Sequence, residues 1–178
     1  MKFVEKLIKN IKKEENGVPA TPVKSADIEK IFENCADFTI RDLNLGLLGA
    51  VSAKICFFDG LISGDATGEQ VISPLTDPIR FIGIKNEREA VESILTGSAY
   101  GCTAKRRKRT DEVVADLLYG WCAVIFDGVR EAVCFELKSS EKRSIDQPKE
   151  EKVVKGAKDA FIEIIRSNTA LVRKKLKD

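Results

Sequence analysis

The sequence predicts a mixed α/β (α+β) protein built as two small αβ subdomains, each a short mixed sheet with flanking helices. Three observations predict it. Apolar residues recur at helical spacing in several segments, as at Val113, Val114, Leu117 and Leu118. Two mostly apolar runs, 53–58 and 121–126, have the composition of strands buried on both faces. These runs also echo each other, ending at Phe58-Asp59-Gly60 and Phe126-Asp127-Gly128, as related subdomains would. The expected division is an N-terminal amphipathic helix and linker over 1–24, a first αβ subdomain over 25–100, and a second over 101–178 that closes in helices.

Phe3, Val4, Leu7, Ile8 and Ile11 stand at helical spacing among lysines, and Asn16-Gly17 stops the helix. The pattern reads as a helix packed on the domain, with a helix lying on an anionic membrane as the alternative. Residues 17–24 hold two prolines and read as a linker. Ser25 is a good N-cap for a helix presenting Ile28, Ile31, Phe32 and Cys35. A strand with imperfect alternation follows over 37–45, then a turn bounded by Gly46 and Gly49, then the first apolar strand.

Thr67-x-x-Gln70 is a capping box for a helix with Val71, Ile72 and Leu75, ended by Pro74 and Pro78. Asn86-x-x-Glu89 is a second box, opening a helix with Ala90, Val91, Ile94 and Leu95. The run Lys105-Arg106-Arg107-Lys108-Arg109 reads as a solvated linker; no aromatic residue interleaves it, as a single-strand nucleic-acid binder would need. Thr110 caps a third helix that Gly120 ends. The second apolar strand and the alternating run 131–137 lie a tight turn apart and form an antiparallel hairpin. Residues 139–152 read as a polar surface loop. Helical stretches follow with Phe161, Ile164 and Ile165, and with Leu171, Val172 and Leu176.

The chemistry is bounded by what the chain lacks. It has no histidine, which removes histidine bases, Ser-His and Cys-His nucleophiles and histidine metal ligands. Its five cysteines form no C-x-x-C pair, and Cys56, Cys122 and Cys134 lie in apolar runs, so buried reduced thiols are expected rather than disulfides or zinc. Neither a signal peptide nor an apolar run of the roughly 20 residues that span a bilayer is expected. No cofactor or metal is expected, and the net charge of +2 calls for no nucleic-acid partner.

The two Asp-Gly strand ends are the best acid candidates, because ligands bind at the carboxyl ends of strands in α/β folds. Asp59 and Gly60, with Asp127 and Gly128, are therefore the ligand-binding candidates; their competing reading is a plain turn. An aspartyl nucleophile two residues before either aspartate would suggest phosphate transfer. Phe57 and Ile125 stand there, so an enzyme is not expected. The cluster Arg173-Lys174-Lys175-Leu176-Lys177 reads equally as cations at a helix C-terminus and as the cytoplasmic flank of a membrane span.

The segment 155–163, Lys-Gly-Ala-Lys-Asp-Ala-Phe-Ile-Glu, together with 166–177, resembles the closing signature of the spore germinant receptor A subunits of GerA type. In that signature arginine-glycine-proline stands where this chain has Lys155-Gly156-Ala157, and a threonine-asparagine-threonine-alanine-leucine string leads into basic residues, here Asn168-Thr169-Ala170-Leu171-Val172-Arg173. Upstream, Asn34-Cys35-Ala36-Asp37-Phe38-Thr39-Ile40-Arg41-Asp42-Leu43, Phe58-Asp59-Gly60-Leu61, Pro74-Leu75 and Phe126-Asp127-Gly128 are similar to further segments of the family, in the same order.

The resemblance implies the soluble N-terminal, spore-core-side (cytoplasmic) domain of a receptor A subunit in the spore inner membrane. It implies B- and C-type subunits and further A subunits as partners, a missing C-terminal membrane domain, and coupling of nutrient sensing to ion release. Arg166, Asn168, Thr169 and Arg173 are the residues expected at the coupling interface. A related sporulation membrane protein that amplifies germination, and a small-ligand-binding module using the cleft between subdomains, are the alternatives.

Overall fold

The computed structural model describes residues 18, 20–46, 49–97, 102–137, 168, 169 and 172. The helix expected over 2–15, the loop over 139–152, and Arg166 and Arg173 lie outside the described residues. In order, the elements are α1 (Ser25–Ile31), β1 (Phe38–Leu45), β2 (Val51–Phe58), a helix α2 made of Gly64–Thr67, a π-helical turn Gly68–Ile72 and Ser73–Thr76, then α3 (Glu87–Leu95), β3 (Ala104–Arg107), α4 (Thr110–Leu118), β4 (Cys122–Phe126) and β5 (Glu131–Phe135).

Helices and strands mix as expected, but the strands form one sheet rather than two. The five strands run β1-β2-β4-β5-β3, and every pairing is antiparallel. The division expected near residue 100 is bridged by β2, whose Lys54, Ile55 and Cys56 pair with Ile125, Val124 and Ala123 of β4. The physical reason lies in the two apolar runs. A strand buried on both faces needs neighbours on both edges, and these two supply an edge to each other. The hairpin between β4 and β5 forms as expected, in register from Phe126↔Glu131 to Cys122↔Phe135.

Alternation on each strand sends side chains to opposite faces. On one face Val51, Ala53, Ile55, Val124, Phe126 and Val133 pack against Val71 and Leu75 of α2, Phe81, and Ala90, Val91 and Ile94 of α3. On the other, Cys56, Phe58, Ala123, Ile125 and Cys134 pack against Ile28 of α1, Phe32, and Val113, Val114 and Leu117 of α4. The rings of Phe32, Phe38 and Phe58 cluster there, with centroids 4.9–5.3 Å apart. The result is three layers, helices–sheet–helices.

Two expected boundaries move. Residues 20–24 are not a free linker: Val23 is fully buried, Pro22 bridges Arg109, and the Thr110 N–H donates to the Thr21 carbonyl at 2.9 Å. Helix α2 begins a turn before the expected box, capped by Ser63, whose Oγ accepts the Ala66 N–H at 3.4 Å. Pro74 lies inside α2 rather than ending it. The π-helical turn immediately before it carries the Ser73 N–H to the Gly68 carbonyl, and so accommodates a residue that offers no N–H of its own.

Candidate functional site

The four-residue turn between β4 and β5, Asp127–Arg130, is held from both helical layers. On one side the Asp127 carboxylate faces the first turn of α1, where Oδ1 accepts the Ser25 backbone N–H at 2.7 Å and Oδ2 accepts the Ser25 hydroxyl at 2.5 Å. Ser25 is the first helical residue and not the cap, and Lys24 at the cap position makes no side-chain capping bond. The first N–H of α1 is thus satisfied from 102 residues away, by a negative charge at the positive end of the helix.

On the other side Glu87, the first residue of α3, accepts the Val129 N–H at 2.8 Å. Gly128 leaves room for this. A Cβ at Gly128 would sit 2.6 Å from Glu87 Oε2. Arg130 completes the turn at φ +56°, a left-handed conformation that non-glycine residues seldom adopt.

Around this turn lies an open groove of about 580 Å³, lined by Ala50, Val51, Ser52, Asn86, Glu87, Arg88, Gly128 and Val129. Both sequence halves therefore contribute to it. Asn86 caps α3 as expected: its Oδ1 accepts the Glu89 N–H at 3.0 Å, and Glu89 reaches back to the Asn86 amide and the Lys85 N–H at 2.8 Å each. Glu87, the acid in the groove lining, holds backbone at the turn, and Asp127, next to the lining residue Gly128, holds backbone at α1.

The other Asp-Gly is not part of this groove. Because β2 and β4 are antiparallel, their carboxyl ends point to opposite ends of the sheet, so Asp59 and Gly60 are separated from Asp127 and Gly128. The Asp59 N–H closes the β1–β2 ladder on the Asp37 carbonyl at 2.8 Å, and Gly60 turns the chain at φ +91°. Asn168 and Thr169 are helical and half-buried, and both interact with other residues.

The basic run expected to be a solvated linker is strand β3 and its exit, paired to β5. Its cations are partnered. The Arg107 guanidinium grips Asp116 at 2.8 and 3.2 Å, Lys108 meets Glu131 at 3.3 Å, Arg109 meets Asp111, Arg106 meets Glu92 and Glu131, and Lys105 lies over the Trp121 ring at 4.7 Å. The Arg109 bond holds Asp111 below its ordinary pKa. Cations on an edge strand also discourage edge-to-edge association. The clue available in the sequence is spacing: Arg107 and Asp116 are separated by one turn and most of a helix, and their pairing requires the strand-to-helix corner at Arg109-Thr110. Thr110 itself is the first residue of α4, and its hydroxyl bonds Thr21 rather than the helix end.

The cysteines expected to be buried are buried: Cys56, Cys122 and Cys134 lie in the sheet, and burial pushes all three thiols well above their usual range.

Comparison with known proteins places this architecture. The spore germination protein KA of Bacillus subtilis (strain 168) is 24% identical over 160 residues, covering 90% of this chain and 29% of that protein. Stage V sporulation protein AF of the same organism is 27% identical over 168 residues, covering 94% and 33%. The chain thus spans about a third of the length of these relatives. The crystal structure of the N-terminal domain of the A subunit of the Bacillus megaterium spore germinant receptor GerK3 superposes with a TM-score of 0.63 at 21% identity, covering 88% of this chain and 55% of that one, and has the same fold. Over residues 26–178 the sequence matches the profile of the Bacillus/Clostridium GerA spore germination protein, and the chain belongs to that family.

Proposed function

We propose that the chain is the N-terminal domain of a spore germinant receptor A subunit, and that it couples nutrient sensing to the membrane part of the receptor. The observation that carries this reading is the match to the GerA family from residue 26 to the end of the chain, on the fold of a receptor A subunit's N-terminal domain. In this reading the domain is not an enzyme, faces the spore core at the inner membrane, and works with B- and C-type subunits and other A subunits. The terminal segment with Arg166, Asn168, Thr169 and Arg173 leads toward the membrane domain and passes conformational change to it. The use of Asp127 and Glu87 to hold backbone supports a scaffold role for the turn.

The similarity to a stage V sporulation protein favours a second reading, a related membrane protein that amplifies germination without sensing a nutrient. Disrupting the gene separates the two. A receptor subunit is expected to leave spores unresponsive to one nutrient or nutrient mixture, restored by the full-length gene. An amplifier slows the response to every nutrient. Unchanged germination with all nutrients contradicts both.

A further inference from the structure

The two edges of the sheet are built differently. Edge strand β3 is four residues long and heavily cationic. Edge strand β1 is eight residues, Phe-Thr-Ile-Arg-Asp-Leu-Asn-Leu, with neither glycine nor proline, and its register to β2 is unbroken from Phe38↔Phe58 to Leu45↔Val51. A long, regular edge of this kind is a template for another strand.

The hydrogen-bond phase shows which groups it offers. The Asp59 N–H bonds the Asp37 carbonyl, so 37↔59 is a hydrogen-bonded pair. In an antiparallel ladder such pairs alternate with non-bonded ones. Thr39, Arg41, Leu43 and Leu45 therefore bond inward to β2, while the N–H and C=O groups of Ile40, Asp42 and Asn44 point outward. The Phe38 N–H, on the same outward phase, is taken by the Cys35 carbonyl at 3.0 Å. Among the described residues no strand pairs the outer edge of β1, and Arg41, Asp42 and Asn44 are exposed.

The charges at the centre of β1 select the occupant. If two copies paired β1 to β1 about its middle, the two centred registers would set Arg41 against Arg41 or Asp42 against Asp42. Like charges directly opposite destabilise a sheet, and opposite charges stabilise it. We propose that the β1 edge is a β-augmentation site for an extended segment of a different protein chain, which adds antiparallel with an acidic residue opposite Arg41 and a basic residue opposite Asp42. Main-chain bonds to Ile40, Asp42 and Asn44 supply the attachment, and the charge pair supplies register.

The probe is a synthetic peptide, acetyl-Thr-Val-Lys-Glu-Val-Thr-Ile-amide, whose glutamate falls opposite Arg41 and whose lysine falls opposite Asp42. Its control has those two residues exchanged. The first peptide is expected to bind at least tenfold more tightly, and to slow amide exchange at Ile40, Asp42 and Asn44 at least tenfold. Asp42→Pro deletes one outward N–H and leaves the inner ladder intact. It is expected to abolish binding with Tm changed by no more than about 2 °C, given the edge position of that N–H. The double variant Arg41→Asp with Asp42→Arg keeps every backbone donor and is expected to reverse the peptide preference, which serves as the test if the proline variant does not fold. Equal or absent binding of the two peptides overturns the proposal. So does protection of those amides that rises with protein concentration in the absence of peptide, since that marks a second copy on the edge.

Discussion

The Asp127 carboxylate caps helix α1 from the far side of the chain, taking both the backbone N–H and the hydroxyl of Ser25. A hydrogen bond to a charged group contributes roughly 1.5–3 kcal/mol. Asp127→Ala is therefore expected to lower Tm by about 3–10 °C in a chain of this size. Ser25→Ala removes the hydroxyl bond and keeps the backbone one, so it is expected to cost less than half as much. Thermal unfolding followed by circular dichroism checks the order; an equal or larger loss for Ser25→Ala contradicts it.

Gly128 and Glu87 form a second dependent pair. A methyl group at Gly128 collides with the Glu87 carboxylate and displaces it from the Val129 N–H. Gly128→Ala is expected to destabilise by about 1.5–3 kcal/mol, the scale of one lost charged bond to backbone. In a Glu87→Ala background the same change is expected to cost less than half of that, because the collision and the bond are both gone. Additive losses in a double-mutant cycle would show that the two residues act independently.

Arg107 and Asp116 join β3 to α4 in a part-buried, two-bond pair. Removing Asp116 leaves the partly exposed Arg107 guanidinium without its two charged hydrogen bonds, at a cost of about 1.5–3 kcal/mol. Asp116→Ala is expected to fall at this level, and Arg109→Ala, whose ion pair with Asp111 is more exposed and screened by solvent, is expected to cost clearly less. Urea denaturation measures both; comparable losses contradict the assignment.

Asp111 also makes a pH prediction. Its folded pKa is lowered, chiefly by the Arg109 hydrogen bond, from an ordinary value of 3.8. A depressed carboxylate adds stability above its unfolded pKa and loses it as pH falls through the folded one. The stability advantage of the native chain over Asp111→Asn is expected to be full at pH 7 and to shrink below pH 3.8. An advantage that grows on acidification contradicts the sign.

The buried thiols are testable by labelling. Cys56, Cys122 and Cys134 are buried, and Cys35 and Cys102 are partly exposed. Folded protein is expected to react at no more than these last two positions with a maleimide within minutes, and at all five after unfolding. Rapid reaction at any of the buried three would contradict the core assignment.

The elements legible in the sequence are those whose causes are local. Helix α3 is marked by Asn86 and Glu89, three residues apart and bonded to each other. Strands β2 and β4 are marked by their own apolar content, and the hairpin after β4 by a short turn. What was not legible depends on distant partners. Nothing near Ser25 reveals that its bonds go to Asp127. The cationic run becomes an edge strand because β5 pairs with it and acids from α3, α4 and β5 surround it. The joining of β2 to β4 is a choice of neighbour, which apolar content permits and does not specify. The same holds for the candidate site: Gly128 lines the groove and Asp127 turns away to α1, while antiparallel pairing carries Asp59 and Gly60 to the opposite end.

The coupling role is tested most directly by the germination rate of spores whose only copy of the full-length protein carries Asn168→Ala, with the protein's abundance measured in the same spores. The account predicts nutrient-triggered germination slowed severalfold at native abundance. Germination at the native rate would contradict it.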